Sequence, residues 1–79
     1  MSSLSLAMAY LAAGLGAAGA TIGGGYGIGK LASAAMEGVS RQPEAVGDIR
    51  GMMILTAAMI EGIALFAVVV CVLLIFVAK

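Results

Sequence analysis

Two long uncharged stretches frame a short polar centre. Leu4 to Gly29 contains no Lys, Arg, Asp or Glu, and Gly51 to Ala78 is apolar except for Glu61. As helices of about 26 and about 28 residues they would rise roughly 39 and 42 Å, where about 20 residues suffice to span a bilayer's hydrocarbon core. Each therefore predicts a transmembrane helix. Between them lie Lys30, Glu37, Arg41, Gln42, Pro43, Glu44, Asp48 and Arg50. Lys30 and Glu37, two turns apart, continue the first helix with a solvated or headgroup-level face. Pro43 disfavours helix at the residue before it and suits the first turn of the helix after it. Glu44 and Asp48 then suit the positive end of the second helix. The expected fold is an all-α membrane protein of one domain, residues 1–79. It is a hairpin with a transmembrane helix at about 4–40, a polar loop at about 41–44 and a second transmembrane helix at about 45–78.

Composition narrows the picture. Of 79 residues, 63% are hydrophobic and 10% charged, too little charge to cover the surface of a soluble domain. The net charge is zero, which leaves no electrostatic case for nucleic acid or an acidic substrate. With no histidine and one cysteine, zinc, haem and an internal disulfide are not expected, nor is any metal site. Cys71 reads as a small buried hydrophobe, and Met36, Met52, Met53 and Met59 as adaptable packing. No basic region precedes the first apolar stretch, as a secretory signal would need, so the amino terminus is read as mature sequence. Lys30, Arg41 and Arg50 cluster around the loop while the termini offer only Lys79. The positive-inside rule then expects the loop in the cytoplasm and both ends on the opposite side.

Glycines shape the first helix. In Thr21-Ile22-Gly23-Gly24-Gly25-Tyr26-Gly27-Ile28-Gly29 they alternate, and at about 100° per residue alternate positions fall on two nearly opposite stripes. Gly23 and Gly27 form one small-xxx-small stripe, Gly25 and Gly29 the other. One stripe would suit a helix dimer. Two suit a helix flanked on both sides by copies of itself, hence a homo-oligomeric ring or array. Two nucleotide-binding patterns also occur here. Gly14-Leu15-Gly16-Ala17-Ala18-Gly19 fits a dinucleotide fingerprint but has no strand before it and no room for a βαβ unit. Gly24 to Lys30 fits a phosphate loop, yet Leu31 stands where the magnesium-holding hydroxyl belongs. Neither has its structural context, so no direct ATP binding and no cofactor are expected.

Glu61 is the lone ionisable side chain in the second apolar stretch. It lies about ten residues, roughly 15 Å, from Arg50, close to the midplane of a core about 30 Å thick. A charge at that depth costs on the order of 2.5–3.5 kcal/mol even on the lenient insertion scale. The stretch itself offers no cation. Glu61 must be held protonated or meet a partner supplied from elsewhere, and an intramembrane carboxyl is a functional site by default.

Gly23-x-Gly25-x-Gly27-x-Gly29, then Arg41-Gln42-Pro43, then a lone membrane carboxyl at Glu61, resembles the c-ring proteolipid of the F-type ATP synthase, from Leu11 to Val77. Each motif alone is weak; in this order and spacing they are specific. The resemblance implies a ring of identical hairpins with the glycine-rich helices inside and the carboxyl-bearing helices outside. Such a ring turns against the stator's a-subunit, carries one ion per carboxyl and couples rotation to ATP synthesis without itself being catalytic. Carried over by residue, Glu61 is the ion carrier, meeting an arginine of the stator. Arg41, Gln42 and Pro43 match the loop that docks on the gamma and epsilon subunits of the central stalk. Gly23, Gly25, Gly27 and Gly29 match the inner packing positions, with membrane lipid as the surroundings.

The travelling ion follows from the neighbours. Sodium-binding relatives usually place a glutamine on the first helix and a serine or threonine just after the carboxylate. The corresponding positions here are Ile28, Gly62 and Ile63, and Phe66 stands where sodium-type rings often show a tyrosine hydroxyl. Thr56, five residues before Glu61, is off the i, i+4 face and is expected to bond its own helix backbone. The expectation is a proton carrier, with a sodium ring as the alternative. A structural or pore-forming hairpin of the holin type would explain Glu61 and some glycines, but neither the loop motif nor the double stripe. Vacuolar-type proteolipids commonly use longer, duplicated chains. The expected location is a bacterial plasma membrane, although an organelle-encoded chain would look the same.

Overall fold

The computed structural model describes residues 2–79. Helix α1 (Ser3–Arg41) and helix α2 (Val46–Val77) run antiparallel, joined by a 3-10 turn over Pro43–Ala45. The hairpin measures 61 × 15 × 8 Å between Cα atoms, about twice the length of a hydrocarbon core. Its loop end therefore stands clear of the lipid tails when Glu61 is near the midplane.

Local chemistry sets each boundary. Ser2 caps α1: its hydroxyl oxygen accepts from the Ser5 amide at 3.1 Å, and its carbonyl accepts from the Leu6 amide at 2.9 Å. The first bond satisfies one of the amides a helix start leaves open, and the second is the helix's own first backbone bond. At the other end Gln42 leaves the helical region, with φ −134° and ψ 73°, as the residue before a proline must. Its amide still closes on the Gly38 carbonyl at 2.9 Å. Pro43, which has no amide to lose, opens the turn, and Asp48 lies in the first turn of α2 where the helix dipole favours an acid.

The seam between the helices is built from unequal partners. The α1 side is small, with Ala13, Ala17, Ala20, Gly24, Gly27 and Ala35 turned inward, whereas α2 supplies Ile49, Met53, Ile60, Cys71 and Leu74. A methyl group added at Gly16 would stand 2.8 Å from the Cys71 sulfur, at Gly27 3.6 Å from Ile60 and at Gly38 3.3 Å from Ile49. Each step of eleven residues along α1 thus matches eleven back along α2. Eleven residues are three turns to within about 20°, so these three glycines lie on one line and fix the register. Glycine lets the backbones approach, which is what drives helix association where lipid is as apolar as the side chains.

Little else is covered. Among the described residues the buried ones are Ala13, Ala35 and Ala78, while Leu15, Ile22, Phe66 and Phe76 are each more than 60% exposed. Both helices are long and apolar enough to cross a membrane. An exterior this apolar, on helices that satisfy their own backbone groups, is the form a chain takes among lipids and other helices.

Candidate functional site

Glu61 sits midway along α2, and its side chain is exposed on one flank of the hairpin. It lines an open groove of about 360 Å³ with Thr21, Gly24, Gly25 and Ile28 of α1 and Ala64, Leu65 and Val68 of α2; Ala20 completes it. The groove exists because α1 has so little side chain here: Gly24 lies close enough to Ala64 that an added methyl would come within 3.2 Å. Apart from Glu61, the one side-chain polar atom in the lining is the Thr21 hydroxyl, which donates to the Ala17 carbonyl at 2.8 Å. That bond commits its proton and leaves its oxygen as an acceptor only. No lysine or arginine lines the groove. Among the described residues the one ion pair is Arg41–Glu37, 2.6 Å between Nη2 and Oε1, exposed at the loop end.

Of the residues named from the sequence as ion-site neighbours, Ile28 shares this groove. Ile63 lines a second groove, of about 260 Å³, with Gly23, Gly24, Ile60 and Ala67. Glu61 and Ile63 are two residues apart on α2, as are Gly23 and Gly25 on α1, so each pair lies about 200° apart around its helix. The hairpin therefore has two flanks, one marked by Gly25 and Glu61 and the other by Gly23 and Ile63. Gly62 lies between them on the face away from α1, where an added methyl would meet nothing within 4 Å beyond its chain neighbours and its own helix backbone, and Phe66, one turn on, is 73% exposed. Gly23, Gly25 and Gly29 likewise meet nothing within 4 Å; Gly27 faces Ile60. Arg41, Gln42 and Pro43 are exposed together at the turn.

Sequence reasoning missed Thr21, Gly24, Ala64, Leu65 and Val68 as groove residues. Ala64, Leu65 and Val68 follow Glu61 by three, four and seven, a spacing that already places them on its face. Thr21 and Gly24 needed the register between the helices. Thr56 donates to the Met52 carbonyl at 2.8 Å, a bond within its own helix.

Fold and site together define a two-helix membrane hairpin with an exposed polar turn and one carboxyl at mid-span. The family model for the ATP synthase C-subunit matches residues 11–74, and the chain belongs to that family. It is 59% identical over 66 residues to the ATP synthase c-subunit of Phocaeicola vulgatus, covering 84% of this chain and 79% of the relative. To that of Bacteroides thetaiotaomicron it is 61% identical over 66 residues, 84% of this chain and 78% of the relative. To that of Synechococcus elongatus it is 45% identical over 76 residues, 96% and 94% respectively. Membership gives the chain its place in the membrane ring of an F-type ATP synthase, where it serves ion transport and ATP synthesis.

Proposed function

We propose that this chain carries protons by reversible protonation of Glu61 as a ring of its copies turns against the stator's a-subunit. The observation that carries the proposal is the groove: a mid-span carboxyl among apolar residues, with one hydroxyl and no cation beside it. Sodium would need several oxygen ligands, and hard cations are held by such oxygens rather than by one carboxylate. A proton needs only the carboxyl. Protonated, Glu61 is neutral and can face lipid at modest cost. Ionised, it needs a cation close by, which an arginine of the stator would supply. A membrane potential provides about 2.3 kcal/mol per charge per 100 mV to drive the exchange.

The two flanks support ring closure by one repeated contact. The Gly25–Glu61 flank of one copy would meet the Gly23–Ile63 flank of the next, so that a neighbour's Ile63 covers the groove. Such a heterologous contact closes when the rotation permits. Arg41, Gln42 and Pro43 would dock on gamma and epsilon from the cytoplasmic side, with both termini across the bacterial plasma membrane. The hairpin is a rotor part, neither catalytic nor ATP-binding.

Reconstituted synthase with Glu61→Gln tests the reading. The amide keeps the shape and cannot release a proton. Expected are an assembled ring, no ATP-driven proton uptake into vesicles, and for the unaltered enzyme a proton flux indifferent to sodium. Proton uptake surviving in Glu61→Gln would overturn it, as would flux by the unaltered enzyme that requires sodium.

A further inference from the structure

Near the loop the hairpin bears two grooves that share one floor. Ala35, Ile49 and Met53 line both and form the seam between the helices there. On one side Leu31, Met52 and Asp48 join them in a groove of about 380 Å³. On the other, Met36, Val39 and Arg50 join them in one of about 300 Å³. Asp48 and Arg50 are two residues apart on α2, about 200° round the helix, and so fall on opposite sides. Arg50 precedes Glu61 by eleven residues and Met52 precedes Ile63 by eleven, which is three turns to within about 20°. The Arg50 groove therefore continues the Gly25–Glu61 flank, and the Asp48 groove continues the Gly23–Ile63 flank.

Among the described residues neither charge has an ion-pair partner within the hairpin, and both side chains are exposed. Residues two apart on a helix do not face each other, so Asp48 and Arg50 of one copy do not meet. Helical side chains lean toward the N-terminus of their helix, which carries the Arg50 guanidinium over Gly47 to the level of Asp48. A methyl added at Gly47 would meet nothing within 4 Å beyond its chain neighbours and its own helix backbone, so that path is clear. The two charges thus share one height on opposite flanks, each beside an apolar groove.

We infer that Arg50 of one copy pairs with Asp48 of the next, so that one repeated ion pair joins the loop ends around the ring. The inference rests on the proposed ring, in which the Gly25–Glu61 flank of one copy meets the Gly23–Ile63 flank of the next at the same height. Charge complementarity selects the occupant. An anionic headgroup would satisfy Arg50 and leave Asp48 alone, and a soluble cation the reverse. Another copy supplies both signs, and brings Leu31 and Met52 against Met36 and Val39. Glu37, fourteen residues after Gly23 and so on the same flank, is also level with Arg50, since Gly38 faces Ile49. Its carboxyl is already bonded to Arg41. Eleven residues, roughly 16 Å, from Glu61, the pair stands at the rim of the hydrocarbon core when Glu61 is near the midplane.

The test uses assembled rings of the full-length chain, with native mass reading rings and single hairpins as SDS is raised. Asp48→Arg and Arg50→Asp each place like charges at every contact and should release hairpins at lower SDS, by up to about fivefold in the equilibrium per contact. Combining the two restores opposite charges with the signs exchanged, and the rings should recover. A basic group at the start of α2 is common to Asp48→Arg and the double variant, so recovery reads the pair. Arg50→Lys keeps the charge and supplies an amine. A water-soluble carbodiimide should join that amine to the Asp48 carboxyl as an amide, the lost oxygen leaving in the urea. The product is a ladder of linked hairpins, absent when Asp48→Asn is added. Within one hairpin this link cannot form, because the two side chains lie on opposite sides of α2. Arg50→Lys rings of normal native mass without a link between residues 48 and 50 would overturn the inference and leave the ring standing. So would a ladder mapped by mass to Glu37 or Glu44, or a double variant no more stable than either single one. Single hairpins from the unaltered chain would remove the ring, and the inference with it. Should all three charge-reversed chains fail to assemble, the Arg50→Lys ring decides.

Discussion

Replacing Gly16 with alanine would drive a methyl group into Cys71. The added carbon would stand 2.8 Å from Sγ, where apolar contacts are optimal at about 3.5–4.0 Å. Either the sulfur swings to another rotamer or the helices part by roughly 1 Å at this level. Overpacking of this kind costs about 1–3 kcal/mol, the low end applying if the sulfur alone moves. Alanine returns up to about 1 kcal/mol of helix propensity. Gly19→Ala gains the same propensity and meets nothing within 4 Å, so comparing the two variants cancels that term. Gly16→Ala should be less stable than Gly19→Ala by about 1–3 kcal/mol. Combining Gly16→Ala with Cys71→Ala should recover most of the loss, a coupling of about 1–2 kcal/mol in a double-mutant cycle. The assay is SDS-driven unfolding of the full-length chain in bicelles, dilute enough to keep hairpins apart and read by energy transfer between helix ends. Equal stability of Gly16→Ala and Gly19→Ala would refute the register, as would a failure of Cys71→Ala to relieve the clash.

Gly25→Leu should leave the isolated hairpin stable, because Gly25 touches nothing within it, yet block assembly; native mass spectrometry would then find single hairpins in place of rings. Thr56→Val should lose no more than about 1 kcal/mol and leave carbodiimide labelling of Glu61 unchanged, since its hydroxyl bonds only the Met52 carbonyl. Arg41→Ala breaks an exposed pair with Glu37 and should change hairpin stability by less than about 1 kcal/mol. ATP-driven proton pumping should fall much further in the same variant, and a parallel fall in both would point to a structural role for the loop.

The hairpin was legible because its signals are local. An apolar stretch of spanning length, a proline and a pre-proline glutamine state the helix–turn–helix without knowledge of what touches what, and Thr56 bonding its own helix needed only i, i−4 geometry. The glycines were harder. A helical wheel puts Gly23 and Gly25 on different sides but does not say which side holds α2. The structure puts Gly16, Gly24, Gly27 and Gly38 against α2 and leaves Gly23, Gly25 and Gly29 open. The site shows the same limit. Glu61 stands out because a carboxyl amid apolar residues is costly wherever the helix packs. Its companions depend on register: Ile28 and Thr21 join it in the groove, while Ile63 and Phe66, near in sequence, face elsewhere.

Dicyclohexylcarbodiimide labelling of Glu61, read by mass in membranes across a pH series with and without sodium, bears most directly on proton carriage. The reagent attacks a protonated carboxyl in an apolar setting. Labelling at Glu61 alone that declines as pH rises and ignores millimolar sodium is the predicted result. Protection by sodium, or no labelling of Glu61 at any pH, would contradict it.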